Sequence, residues 1–350
     1  MSSPRIVIAA TQVPFERGGA EWHSIALRTA LLARGFAAEI VQIPFAWDPR
    51  PEVLRSALAW RLLDLTRASG VPIDLVIATR FPSYVVRHPN KVVWLFHQFR
   101  QAYDLHDAGI DGFPDTPEGR DLHRHVIDLD TQALRECQRI HTTSRNNAER
   151  LRRYNGLAAQ VLRLPLLDPE SWHGESYDDF VLSVGRLDAL KRTELLIRAV
   201  PHLPAHSRVV IVGEGPERLP LTRLADSLGV ASRVDFRGYV EDAPVKDLYS
   251  RAGAVFYAPY DEDYGLVTLE AFFSRKPVLT TVDAGGPLEF VVDGDTGVVT
   301  PPDPVAIGAG LSRLLESKME ARRLGENGFQ TVRHIGWDGV VAALTETLGY

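Results

Sequence analysis

Short β-branched runs separated by helix-length segments recur along almost the whole 350-residue chain, and this alternation constrains the fold most. RIVIA (5–9), AEIVQI (38–43), DLVIA (74–78), KVVWLF (91–96) and RIHTT (139–143) form a first series. The segment 21–33 between the first two places Ile25, Leu27, Leu31 and Leu32 near helical spacing, with Gly35 as its stop. The pattern then restarts with FVLSVG (180–185), RVVIVG (208–213), RVDF (233–236), AVFYA (254–258) and PVLTT (277–281). Apolar strands alternating with helices predict parallel sheets covered on both faces, and the restart predicts two of them. The α/β chain therefore divides into two Rossmann-like, doubly wound domains. Prolines and polar residues across 162–179 mark the join, giving domains over 1–165 and 166–335. A last helical pattern, 337–348, has no following strand.

Composition narrows the class. Hydrophobic residues at 45% and charged residues at 24% suit a globular chain, and the single Cys137 excludes a disulfide framework and a cysteine-rich zinc site. The run 6–10 is too short for a signal peptide and no apolar run reaches membrane-spanning length, so a cytoplasmic location is expected. A net charge of −6 gives no general attraction for nucleic acid. Between Thr131 and Pro165, however, seven arginines face two glutamates, which raises weak peripheral association with an anionic membrane surface against the plainer reading of a solvated helix face.

In doubly wound sheets, ligands bind beyond the carboxyl ends of the strands, so the polar residues there are the candidates. Gly18 and Gly19, in ERGGAEW, sit between the first strand and first helix, where backbone N–H groups favour an anion. Arg186 follows Gly185 at a strand end, and Lys191 comes five residues later as a helix begins. A planar fork and a mobile ammonium can converge on one diphosphate. VGEGPERL (212–219) has Arg218 at the third glycine position of a dinucleotide fingerprint and reads instead as a turn beside a nucleotide. His97 stands just past a first-half strand, placed to donate to a sugar hydroxyl or to meet developing negative charge, with a structural histidine as the competing reading. Asp261-Glu262-Asp263 can be a D-x-D clamp for a divalent ion. Alternatively Glu262 sits in a loop before a helix whose first N–H groups, at Gly265 and Leu266, point at a ligand, with Glu270 in the second turn. No H-E-x-x-H pattern is present, so no zinc site is expected.

Together GGAE, GRLDALK, VGEGP, EDYGLVTLE and DGDTGVVTPPD resemble the retaining GT-B glycosyltransferases of family 4, in order and spacing over nearly the whole chain, with Glu262-x7-Glu270 the most specific element. The resemblance implies two Rossmann-like domains facing a cleft, with a C-terminal helix (about 336–350) crossing back to the first. It implies transfer of a sugar from a nucleotide-diphosphate donor to a saccharide, lipid or small-molecule hydroxyl, with retention and no metal or other cofactor. Arg186 and Lys191 would hold the diphosphate and Gly19 would approach it. Glu262 would contact the donor sugar and Glu270 the ribose. Backbone near Val240 would meet the base, Tyr264, Gly265, Leu266 and Val267 would line the donor site, and His97 would lie near the transferred sugar. Trp22 departs from the small or basic residue usual after the glutamate, and Tyr264 replaces a frequent phenylalanine. The competing classes are a nucleotide-sugar epimerase or hydrolase of similar build, a non-catalytic nucleotide-sugar binder, and a metal-dependent single-domain transferase.

Overall fold

Two parallel sheets form where the alternation places them. The computed structural model describes residues 3–14, 19–110 and 112–349, and the chain divides into two compact units, Met1–Leu167 with Gly336–Tyr350, and Asp168–Ile335. The first unit holds β1 (Arg5–Gln12), β2 (Ala37–Pro44), β3 (Leu75–Ala78), β4 (Lys91–Leu95), β5 (Arg139–Thr142) and β6 (Gln160–Val161). Their spatial order is β2-β1-β3-β4-β5-β6, with every neighbour parallel. The second holds β7 (Phe180–Val184), β8 (Arg208–Val212), β9 (Val234–Gly238), β10 (Ala254–Phe256), β11 (Val278–Thr281) and β12 (Gly297–Thr300). Its order, β9-β8-β7-β10-β11-β12, is again all parallel and is the doubly wound arrangement. Because helices cover both faces, β3 and β4 are buried at every residue, which is why they read as unbroken apolar runs.

Three strand features lie outside the sequence expectation. β12 has only two apolar residues behind the turn-rich DGDT, and it pairs as an edge to β11. β6 is two residues long, and a two-residue antiparallel ladder joins Arg67–Ala68 to Val71–Pro72. Such short pieces carry no periodicity. The run 233–236 starts one residue later than expected, because Arg233 belongs to a 3-10 turn. In the helix Gly19–Ala33, Ile25 and Leu32 face outward, 46% and 42% exposed, and the inward stripe is His23, Ala26, Leu27, Ala30 and Leu31. The two alanines keep that stripe shallow enough to lie on the sheet.

The closing helix Trp337–Thr345 belongs to the first unit. Its Trp337 ring meets Trp94 of β4 edge to face at 6.1 Å, and the Trp337 indole N–H donates to Leu166 O at 3.0 Å. Asp338 pairs with Arg34. A polar tip on an apolar ring suits this docking, since the ring buries area while its one donor is satisfied.

Candidate active site

In the second sheet the chain leaves β7 toward β8 on one side, while β10 leads to β11 on the other, so the carboxyl ends of β7 and β10 form the topological switch point. Beyond β7 come Gly185, Arg186 and the 3-10 turn Ala189–Lys191, where the Asp188 carboxylate accepts from the Lys191 backbone N–H at 3.1 Å. Beyond β10 comes Tyr257 and then the loop to Glu262. A pocket there is lined by Ser183, Gly185, Arg186, Lys191, Thr193 and Tyr257, among others. The Lys191 ammonium is ion-paired with Glu262 and reaches Tyr257 Oη at 3.5 Å. Burial pushes the Lys191 pKa down, but the Glu262 carboxylate and Tyr257 outweigh it and hold the group well above the ordinary lysine range. Burial together with the Glu262 charge likewise raises the Tyr257 phenol far above its usual value. The switch point thus carries a permanent cation beside a carboxylate, with Arg186 in the same pocket.

The backbone fixes Glu262 from both sides. Its N–H donates to Ala284 O at 2.8 Å, and its carbonyl accepts from Gly286 N–H at 2.7 Å. Asp261, at φ +44°, donates its N–H to Asp283 O at 2.9 Å. Gly265 then opens the helix Leu266–Phe273 at φ +82°, where a Cβ would stand 2.8 Å from the Tyr257 ring and 3.0 Å from Pro287. Only glycine fits this turn. Glu270 falls in the helix's second turn and accepts from Tyr249 Oη at 2.7 Å. Burial raises the Glu270 pKa, Tyr249 opposes this, and Asp242 adds to it. The Tyr264 ring is buried edge to face on Phe290 at 5.5 Å, and Leu266 and Val267 are half-buried in the helix's first turn. Val240 is half-buried just past β9, next to a Tyr239 that is 79% exposed.

Two findings were not visible in the sequence. The glycines of VGEGP serve backbone crowding: a Cβ on Gly213 would meet Gly185 O at 1.9 Å, and one on Gly215 would meet Leu187 O at 2.2 Å. They let this turn lie directly on the Arg186 loop, where Leu187 N–H donates to Glu214 O at 2.9 Å. The second finding is Arg192, whose guanidinium binds Ala258 O, Pro259 O, Thr281 Oγ1 and both Asp283 carboxylate oxygens at 2.8–2.9 Å. Hydrogen bonds from Arg192 keep the Asp283 carboxyl below the usual carboxylate range. Among the described residues no group of three or more His, Cys, Asp or Glu side chains is arranged to hold a metal ion.

The remaining candidates lie in the first unit. His97 follows β4, half-buried, with Nδ1 2.8 Å from Gln98 O. Gly19 opens the first helix, and Gly18 lies outside the described residues. The arginine-rich segment is extensively paired: Arg139 with Glu346, Arg150 with Asp104, Arg152 with Glu149 and Arg153 with Asp107. No described helix is long and apolar enough to cross a membrane.

Residues 170–331, almost all of the second unit, match the family described as Glycosyl transferases group 1. A D-inositol 3-phosphate glycosyltransferase of Xylanimonas cellulosilytica is 33% identical over 47% of this chain and 41% of its own length, so the chain spans less than half of that relative. An alpha-D-kanosaminyltransferase of Streptomyces kanamyceticus is 28% identical over 75% of this chain and 66% of its own. The solved structure of Anabaena Alr3699/HepE in complex with UDP and glucose shares the fold over 99% of each chain, with a TM-score of 0.71 at 17% identity. Across both units the fold is that of the GT-B glycosyltransferases. The second unit thus carries both the match to the Glycosyl transferases group 1 family and the switch-point residues.

Proposed function

We propose that the chain transfers a hexose-type sugar from a nucleotide-diphosphate donor to an acceptor hydroxyl, with retention at the anomeric carbon and without a metal, in the cytoplasm. One observation carries this reading. Arg186 and the Lys191–Glu262 pair stand together at the switch point of the sheet that the family match covers. UDP and glucose in the Anabaena relative support a nucleotide-sugar donor.

The chemistry follows from charge. As the bond from the anomeric carbon to the diphosphate oxygen breaks, its electron pair stays on that oxygen, where the Arg186 fork and the Lys191 ammonium stabilise it. Lys191 has three N–H donors, so it can serve phosphate while keeping Glu262. Glu262 balances positive charge on the sugar. The acceptor oxygen bonds to the anomeric carbon on the same face and gives its proton to the departing phosphate, so no protein base is assigned. Glu270, held by Tyr249, takes the ribose hydroxyls.

A panel of nucleotide-sugars screened by thermal shift identifies the donor, because a ligand of the folded state raises Tm. With that donor, Lys191→Ala and Glu262→Ala should each lower transfer by about 10²–10³-fold without unfolding the chain. Near-normal turnover in both variants removes the assignment. NMR of the product's anomeric configuration tests retention, full activity in excess EDTA tests metal independence, and cell fractionation tests location.

A further inference from the structure

We propose that Arg192 is the positioning residue of this site, its guanidinium clamping the loops beyond β10 and β11 so that the Glu262 carboxylate stays against Lys191. The inference rests on the reading above only for what Glu262 meets in the donor.

Arg192 sits at φ +50°, in the left-handed region that side chains other than glycine seldom occupy. This conformation ends the turn carrying Lys191 and sends the Arg192 side chain across the sheet's carboxyl edge. There Nε donates to Ala258 O, and Nη2 donates to Pro259 O, both in the loop leading to Glu262. The same guanidinium meets Thr281 Oγ1 and grips Asp283 through both oxygens at 2.8 Å. Its carbon lies 5.8 Å from the Tyr260 ring centre, and Tyr260 N–H donates to Leu190 O at 2.8 Å. The clamped segments are the ones that zip together around the carboxylate, through Asp261 N–H to Asp283 O, Glu262 N–H to Ala284 O and Gly286 N–H to Glu262 O. One planar fork thus spans two loops, a geometry a lysine ammonium cannot reproduce.

Hydrogen exchange on the full chain tests the clamp without any ligand. In Arg192→Ala the amides of Asp261, Glu262 and Gly286 should exchange about tenfold faster or more, while those of β7 and β8 keep their protection. Arg192→Gly should behave like the alanine variant, and wild-type protection in it would show that the turn and not the guanidinium sets the loop. Asp283→Asn, a milder change, should loosen the same amides. Unchanged exchange at these amides, or loss of protection across the whole unit in both Arg192→Ala and Asp283→Asn, overturns the proposal. Calorimetry with UDP and UDP-glucose as probes separates positioning from bulk structure. Arg192→Lys should retain UDP affinity within about threefold and lose the increment that the glucose adds. Equal loss of both, or of neither, overturns the positioning role. If the wild-type chain binds neither probe, the uridine donor is excluded and the thermal-shift panel decides the donor reading, while hydrogen exchange still decides Arg192.

Discussion

Two lysines beside strands of parallel sheets do opposite work. Lys91 opens β4 at its amino end, is fully buried, and donates to Tyr84 O, Val86 O and Ala133 O at 2.7, 3.0 and 3.1 Å, with Glu136 3.6 Å away. Burial lowers its pKa. Lys191 follows β7 at its carboxyl end, a quarter exposed, beside one carboxylate that raises its pKa. The first ammonium spends its donors on buried backbone carbonyls, whereas the second lines a pocket. Residue type and proximity to a strand are the same, so the end of the strand is what separates a lysine spent on backbone carbonyls from one that lines a pocket.

Replacing each lysine by methionine, which keeps the chain length and removes the charge, gives the largest expected contrast. Lys91→Met removes the ammonium hydrogen bonds of three buried carbonyls and should cost about 3 kcal/mol or more in denaturant unfolding. Lys191→Met should cost less, about 1–2 kcal/mol, since its pair is only partly buried, while lowering donor use as strongly as Lys191→Ala. Equal destabilisation by the two would erase the distinction.

A similar contrast holds for carboxylates. Asp130, in the first unit, is buried between Tyr84 Oη and Tyr103 Oη, and Asn155 ties Tyr103 to Gln98 beside His97. No cation is bonded to it, and burial pushes its pKa up to about 6. The folded state therefore holds this proton more tightly than the unfolded chain does. The resulting stabilisation is complete below about pH 4 and is lost as pH rises through about 6, a change of roughly 3 kcal/mol. Asp130→Asn should remove that part of the pH dependence, which the difference between wild-type and variant unfolding curves from pH 4 to 7 measures. An identical pH profile in the two would place the proton elsewhere.

These pairs show what a sequence can disclose. Strands were legible because burial on both faces leaves unbroken β-branched runs; Arg186, Lys191 and Glu262 stood out as charges placed past those runs, and Glu270 by its spacing from Glu262. Arg192 was not legible, because its partners are the carbonyls of Ala258 and Pro259 and the side chains of Thr281 and Asp283, 66 to 91 positions away, a relation with no local spacing. Asp130 and Tyr84 lie on different elements for the same reason. That the glycines at 213 and 215 are required by close backbone approach was not legible either, because Gly185 and Leu187 lie some 28 positions away.

A smaller effect is expected at Glu270, which stands apart from Glu262 in being held by a hydroxyl and not by a cation. Tyr249→Phe removes that one hydrogen bond and, if the thermal-shift panel returns a uridine donor, should weaken UDP binding about fivefold, near 1 kcal/mol. Calorimetry showing full UDP affinity would separate Glu270 from the nucleotide.

The smallest effect concerns the arginine-rich segment, where counting and geometry diverge. Counting along the sequence gives seven arginines against two glutamates, but the fold brings Asp104, Asp107 and Glu346 to this segment from outside it. Arg150 is buried against Asp104, whereas Arg152 with Glu149 and Arg153 with Asp107 are solvent-exposed pairs. Exposed pairs contribute little to stability and are screened by salt. Arg152→Ala and Arg153→Ala should therefore shift Tm by less than about 1 °C. With most of its charge compensated locally, the intact chain should co-sediment with phosphatidylserine vesicles no more than with neutral ones, even at low salt. Binding that appears only at low salt and disappears in the Arg152→Ala/Arg153→Ala double variant would show that these pairs open toward a membrane, and that the sequence count describes the surface better than the paired geometry.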